Sequence, residues 1–179
     1  MRLLLETVRP CPAYVLSPTS DILAANPETL LLFAGITDWP AARRNTIRYV
    51  FCHPAAPGLF ADWAGAADSA VANLHAVLAD DPDSADLAEL VDELAAASAE
   101  FARRWNRHDT IRRRSGRKTF RHPVVGTLTL HHEVLRLGDD GRRLTVYQAA
   151  PGTTDHDALT LLAMEPTSAR LEGPGRGRR

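Results

Sequence analysis

Apolar positions along this chain change their spacing twice. From Pro12 to Asn26 they read as two short strands, Tyr14-Val15-Leu16 and then Ile22 to Ala25, separated by the turn chemistry of Ser17-Pro18-Thr19-Ser20-Asp21. Asn26-Pro27 stops the second strand and opens a helix. Pro27 takes the first helical position, where its missing N–H costs little, and Gly35 ends the helix after Phe33. The spacing then becomes three and four. Arg43 to Cys52 predicts a short helix stopped by His53-Pro54. Leu59, Phe60, Trp63, Ala67, Ala70, Val71, Leu74, Val77 and Leu78 trace one face of a long helix, which Asp80-Asp81-Pro82-Asp83 breaks. A second face runs through Leu87, Leu90, Val91, Leu94, Phe101 and Trp105, with Ser98 as a fresh cap inside it.

The last third has period two. Thr127 to Val134 alternates, with Leu128, Leu130, His132 and Val134 on one face. Leu137 to Gly141 reads as a hairpin loop, Arg142 to Ala150 as the returning strand, and Arg117 to His122 as a further strand before Pro123. Asp155 to Met164 is a short helix capped by Thr154 or Asp155. The first two strands must pair with the last three to bury their apolar faces. The predicted fold is therefore α+β: one antiparallel five-stranded sheet with helices on one side and a helical insertion between the second and third strands. Residues 1–165 form this domain, and residues 166–179, ending in a Gly/Arg/Pro run, are expected to be disordered.

Composition limits the function classes. In 179 residues, 45% are apolar and 24% charged, enough for a real core, and the net charge of −1 gives no global attraction to nucleic acid or membrane. Charge is nonetheless segregated. Asp80 to Glu100 holds eight acidic residues and no basic one, whereas Arg103 to Arg121 holds nine basic residues and one acid, Asp109. Two readings of the basic run stand: solvated faces of ordinary elements, or a patch for an anionic partner such as DNA phosphate. On a strand its side chains alternate, so Arg112-Arg113-Arg114, Arg117, Lys118 and Arg121 cannot all face one partner. Glu6 and Arg9 interrupt the apolar start before it makes a signal peptide, and no apolar stretch is long enough to span a bilayer. Cys11 and Cys52 fit neither a disulfide framework nor a zinc site, and the expectation is a cytoplasmic protein.

Catalytic chemistry is thinly represented. His131-His132 invites a metal reading, but adjacent strand residues face opposite ways. His108-Asp109 pairs a base with an orienter only on paper, since sequence neighbours rarely point at each other. No Gly-rich phosphate loop, HExxH or GxSxG occurs. No metal, no resident cofactor and no enzyme activity are expected.

The opening strand pair closing on Asn26 resembles that of PAS domains. PAYVL at 12–16, DILAANP at 21–27, RYVF-HP at 48–54, LF-DW at 59–63, ELVDEL at 89–94, FARRW--HD at 101–109, RHPVVGTLTL at 121–130 and LTVYQAAPG at 144–152 make the resemblance specific. Together they look like the MmyB-like ligand-binding domain of Xre-family helix-turn-helix transcription regulators, from about Leu4 to Leu162. The resemblance implies a PAS-like fold that binds a small, largely apolar molecule, with fatty acids as suspected ligands. It also implies that occupancy is passed to a DNA-reading half in the same chain. That helix-turn-helix half needs about 60 residues ahead of the domain, whereas PAYVL begins at Pro12. The expectation is a sensor that meets DNA only through a domain not present here.

A PAS-like fold holds its ligand between the sheet and the covering helices. Tyr14, Leu16, Phe51, Phe60, Trp63, Phe101, Trp105, Leu128, Leu130 and Tyr147 are then candidate liners, and Asn26, Arg48, His108 and His122 candidate polar anchors. Arg48 suits a carboxylate; Asn26 reads equally as a helix cap. Two other function classes stand beside the sensor: a scaffold or homodimerisation module using the faces from Leu74 to Trp105, and a small enzyme.

Overall fold

The computed structural model describes residues 2–107 and 116–165. The chain opens with helix α1 (Arg2–Thr7), then strands β1 (Ala13–Leu16) and β2 (Ile22–Ala25) and helix α2 (Pro27–Leu32). Helices α3 (Thr46–Cys52), α4 (Ala56–Leu59), α5 (Trp63–Asp80), α6 (Ala85–Ala97) and α7 (Ala99–Trp105) follow. Strands β3 (Gly116–His122), β4 (Gly126–Leu137) and β5 (Arg142–Gln148) and helix α8 (Thr154–Met164) complete the described chain. The five strands form one antiparallel sheet in the order β2-β1-β5-β4-β3, the α+β, PAS-like arrangement that the sequence predicts. The expected pairing of the first strands with the last is made by Tyr14 against Thr145 and Val15 against Leu144.

Caps decide where the helices start. Asn26 ends β2 and accepts the Thr29 N–H at 3.2 Å, and Pro27 opens α2 behind it. Gly35 sits in the left-handed region at φ 82°, and a Cβ there would come within 2.6 Å of the His53 ring. Asn45 accepts the Ile47 and Arg48 N–H groups, so α3 begins at Thr46, while Ala41–Arg43 forms only a 3₁₀ turn. The helix expected from Arg43 is shorter for that reason. The fresh cap at Ser98 is present: its hydroxyl accepts the Phe101 N–H and separates α6 from α7.

The long helix expected from Leu59 is two elements. α4 ends at Leu59, and Phe60 to Asp62 lies against β3, with Phe60 bridging Phe120 and the Ala61 N–H donating to the Thr119 carbonyl at 3.0 Å. Asp62 then caps α5 by accepting the Gly65 N–H at 2.9 Å. Phe60 fits a helical spacing by coincidence; it is buried against Phe120, ring centroids 5.5 Å apart, and holds the edge of the sheet.

Three apolar clusters result. The main core lies between the inner sheet face and α2, α3, α4 and α8, around Phe33, Tyr49, Phe60, Phe120, Leu128 and Leu130. A second core inside the insertion joins Ile47 of α3 to Val71, Leu74, Leu87, Leu90, Leu94 and Phe101. The helices do not all lie on one side as expected. Leu5 of α1 packs on the outer face against Ala13, Val15, Leu144 and Val146. Much of the charge segregation is spent locally: Glu93 holds Arg43 and Arg48, and Glu100 holds Arg103 and Arg104. Arg112-Arg113-Arg114 lies outside the described residues, and β3 turns Arg117 and Arg121 outward while Lys118, Phe120 and His122 face in.

Candidate functional site: a cavity between the sheet and helices α3 and α5

A cavity of about 210 Å³ lies between the inner sheet face and helices α3 and α5. Its cause is visible on α5. Ala66, Ser69, Ala70 and Asn73 recur at helical spacing on the face turned towards the sheet, and these short side chains leave the space a Leu would fill. Thr46, Ile47 and Val50 of α3 form the adjoining wall.

The sheet wall is layered by its register. Arg136 of β4 pairs across from Arg143 of β5, which pairs with Leu16 of β1; Val134, Thr145 and Tyr14 form the next row; His132 and Tyr147 form the next. Lys118 enters from β3, beside Leu130. The sheet wall therefore carries cationic groups towards both ends, with Val134, Thr145 and Tyr14 between them. Among the described residues, no Asp or Glu lines it.

Each polar group has a definite surrounding. Buried Arg143 bonds the Asn73 side-chain oxygen on α5 and the Ser20 hydroxyl at 2.9 Å, and so ties β5, the β1–β2 turn and α5 together. His132 shares a 3.0 Å hydrogen bond with the Gly116 carbonyl, and burial, reinforced by the nearby Lys118 charge, pushes its pKa down. Burial pushes the Tyr14 phenol well up and the Tyr147 phenol up to about 12, so both stay protonated; their rings lie 6.2 Å apart between centroids. Lys118 keeps part of its accessible area, but the cavity takes it. Its ammonium lies over the Phe60 ring, 5.9 Å from the centroid, and burial pushes its pKa down.

A layered cavity of this kind, bounded by sheet and inserted helices, coincides with a family match. The model of the MmyB-like transcription regulator ligand binding domain matches residues 1–162. The chain belongs to that family. No curated protein matches it.

The residues anticipated for an MmyB-like site divide between the cavity and the rest of the fold. Tyr14 lines the cavity, as do Leu16, Phe60 and Tyr147, and Leu130 and Leu128 lie fully buried in the core beside it. Asn26 is fully buried away from it. Its Oδ1 takes the Ala13 N–H, the Thr29 N–H and the Thr29 hydroxyl, and its amide gives to the Leu5 and Cys11 carbonyls. Arg48 is held by Glu93 through a forked pair, Nη2 to Oε2 at 2.8 Å, and turns to the surface. His122 binds the Leu31 carbonyl at 2.9 Å and receives the Val124 N–H, fixing the β3–β4 turn. Phe51 and Trp63 meet edge to face at 6.1 Å; the Trp63 indole donates to the Val50 carbonyl, so both serve the junction of α3, α5 and α7. Phe101 is buried in the insertion core. Trp105 stacks on His75 at 4.1 Å and closes the same insertion. His108 lies outside the described residues.

Lys118, His132, Asn73 and Arg143 line the cavity and are absent from that anticipated set. The alternation of β3 and β4 carried the signal for the first two: Lys118 shares a face with Phe120, and His132 with Leu130. His131 is exposed on the opposite face, so the His131-His132 pair does not converge. Among the described residues no group of three His, Cys, Asp or Glu side chains meets at one point.

Proposed function

We propose that this domain senses a small, largely apolar effector, fatty-acid-like in character, for a bacterial transcription regulator. The observation that carries the reading is the cavity itself, a space left by the small residues of α5 and lined by apolar and aromatic side chains together with cationic and other polar groups, a concave mixed lining of the kind that takes small molecules. The reading is of binding and release rather than turnover, and of contact with DNA only through a helix-turn-helix partner domain in the cytoplasm. No helix among the described residues is long and apolar enough to cross a membrane.

The proposed response follows from size. At a water's share of about 30 Å³ per heavy atom, the cavity takes roughly seven heavy atoms. A longer chain either extends out of the open side of the cavity or displaces α5. A ligand acts only through different affinities for two conformations, and the Asn73–Arg143 tie is the contact that α5 must give up or reshape. The test is the melting temperature across saturated fatty acids of increasing length. A ligand at about 100 times its Kd adds about 2.7 kcal/mol, a rise of roughly 5–10 °C at this chain length. No rise at any length would overturn the apolar-effector reading.

A further inference from the structure

The chain contains twenty arginines and one lysine, and that lysine is Lys118. Arginine serves the cationic positions of the surface: it pairs with Glu93, Glu100, Asp68 and Asp140. It also serves the buried network at Arg143. Lysine stands only on the cavity wall. The two residues differ in one property that matters there. A guanidinium stays charged under all conditions, whereas an ammonium that is buried without a counter-ion gives up its proton and becomes a nucleophile. Lys118 is half-buried on the cavity wall, and burial pushes its pKa down, so its proton is given up more readily than that of a surface lysine. Among the described residues it makes no hydrogen bond or ion pair, and no carboxylate lines the cavity it faces. Burial alone pushes the Lys118 pKa down, and the nearby Tyr14 phenol works the other way. The Tyr14 and Tyr147 phenols, both protonated, line the same wall.

We propose that Lys118 is a carbonyl-capture site, whose ε-amine condenses with a small apolar aldehyde or ketone held in the cavity to form an imine. The proposal rests on reading this cavity as the effector pocket. The Nζ lone pair attacks the carbonyl carbon, a C–N bond forms, and the carbonyl π pair passes to oxygen. An N–H proton moves to that oxygen, giving a carbinolamine, with a phenol of the Tyr14–Tyr147 pair as the relay. The second N–H proton leaves with the hydroxyl as water, and the nitrogen lone pair closes the C=N bond. Amine and carbonyl become imine and water, with nothing oxidised or reduced. The apolar lining at Leu16, Phe60 and Val134 shields the tail and the imine in part while the ligand remains, and water reaches the imine through the open side. Capture is thus reversible, and suits a sensor of a reactive, uncharged compound.

The single lysine makes the test direct. The whole chain is incubated with hexanal, which has the roughly seven heavy atoms the cavity takes, and cyanoborohydride, and read by intact and peptide mass spectrometry. The expected result is one hexyl group per chain on Lys118. It should form severalfold faster than on Nα-acetyl-lysine at the same pH, and be completely lost in Lys118→Arg. Circular dichroism confirms that this variant is folded; Lys118→Met serves if it is not. Label confined to the N-terminal amine, or Lys118 labelling no faster than the free amino acid, would overturn the proposal. A parallel melting series with hexanoate separates the two readings. If hexanoate stabilises the chain while hexanal leaves Lys118 unlabelled, the effector pocket stands and Lys118 is a charge anchor. If neither compound nor any longer chain has an effect, the pocket reading itself has failed.

Discussion

At the scale of single residues, the polar side chains divide into those that close the fold and those that face the cavity. Asn26 belongs to the first kind. It caps α2 and at the same time clips β1 and the segment after α1, with every polar atom engaged. Losing a cap costs about 1 kcal/mol, and leaving the buried Ala13 N–H without an acceptor adds about 1–3 kcal/mol. Asn26→Ala should therefore lower stability by about 2–4 kcal/mol in urea denaturation; a loss under 1 kcal/mol would show that the clip is not structural. His132 faces the cavity, and its lowered pKa has a definite sign. The unfolded chain takes up the proton first as pH falls below roughly 6.5. The contribution of neutral His132 is thus intact above that pH and lost as pH falls through the lowered folded-state value. Melting temperature should fall between pH 7 and pH 5, and less steeply in His132→Gln; parallel slopes would contradict this.

At the scale of elements, the insertion has a core of its own. Leu94 of α6 is fully buried among Leu87, Leu90 and Phe101, away from the sheet. Leu94→Ala should cost about 2–5 kcal/mol, with amide exchange rising first in α6 and α7 and last in β4 and β5; a uniform rise would mean that the insertion and the sheet open as one unit. These elements were legible in sequence because period and caps agree within them: β4 alternates cleanly, and Ser98 and Asn26 mark real helix starts. Phe60 to Asp62 was not legible as a break, since Phe60 keeps a helical spacing while its backbone bridges a strand sixty residues away. The site was legible as a place and less so as a set of side chains. Aromatic size pointed to Trp63, which packs against the main core, and Trp105, which packs inside the insertion, whereas the cavity depends on the smallness of Ala66, Ser69 and Ala70 and on which face β3 gives Lys118. Helical faces show where bulk lies and are silent on where space is left.

At the scale of the whole molecule, one chain carries a sheet that is braced on its outer face by α1 and covered on its inner face by two blocks of helices. α2, α4 and α8 pack directly on the sheet. α5 stands over the cavity and is tied to α6 and α7, so a displacement of α5 carries the whole insertion with it. This arrangement is suited to turning occupancy of a small space into movement of a large surface. The central claim is that an apolar effector occupies the space under α5, and Ala70→Phe tests it by filling that space from the cavity-lining face of the helix. The deciding measurement is the rise in melting temperature across the fatty-acid series for the wild-type chain and for Ala70→Phe side by side. The account predicts a rise in the wild type and none in a folded Ala70→Phe chain; an equal rise in both would place the ligand elsewhere on the molecule and contradict it.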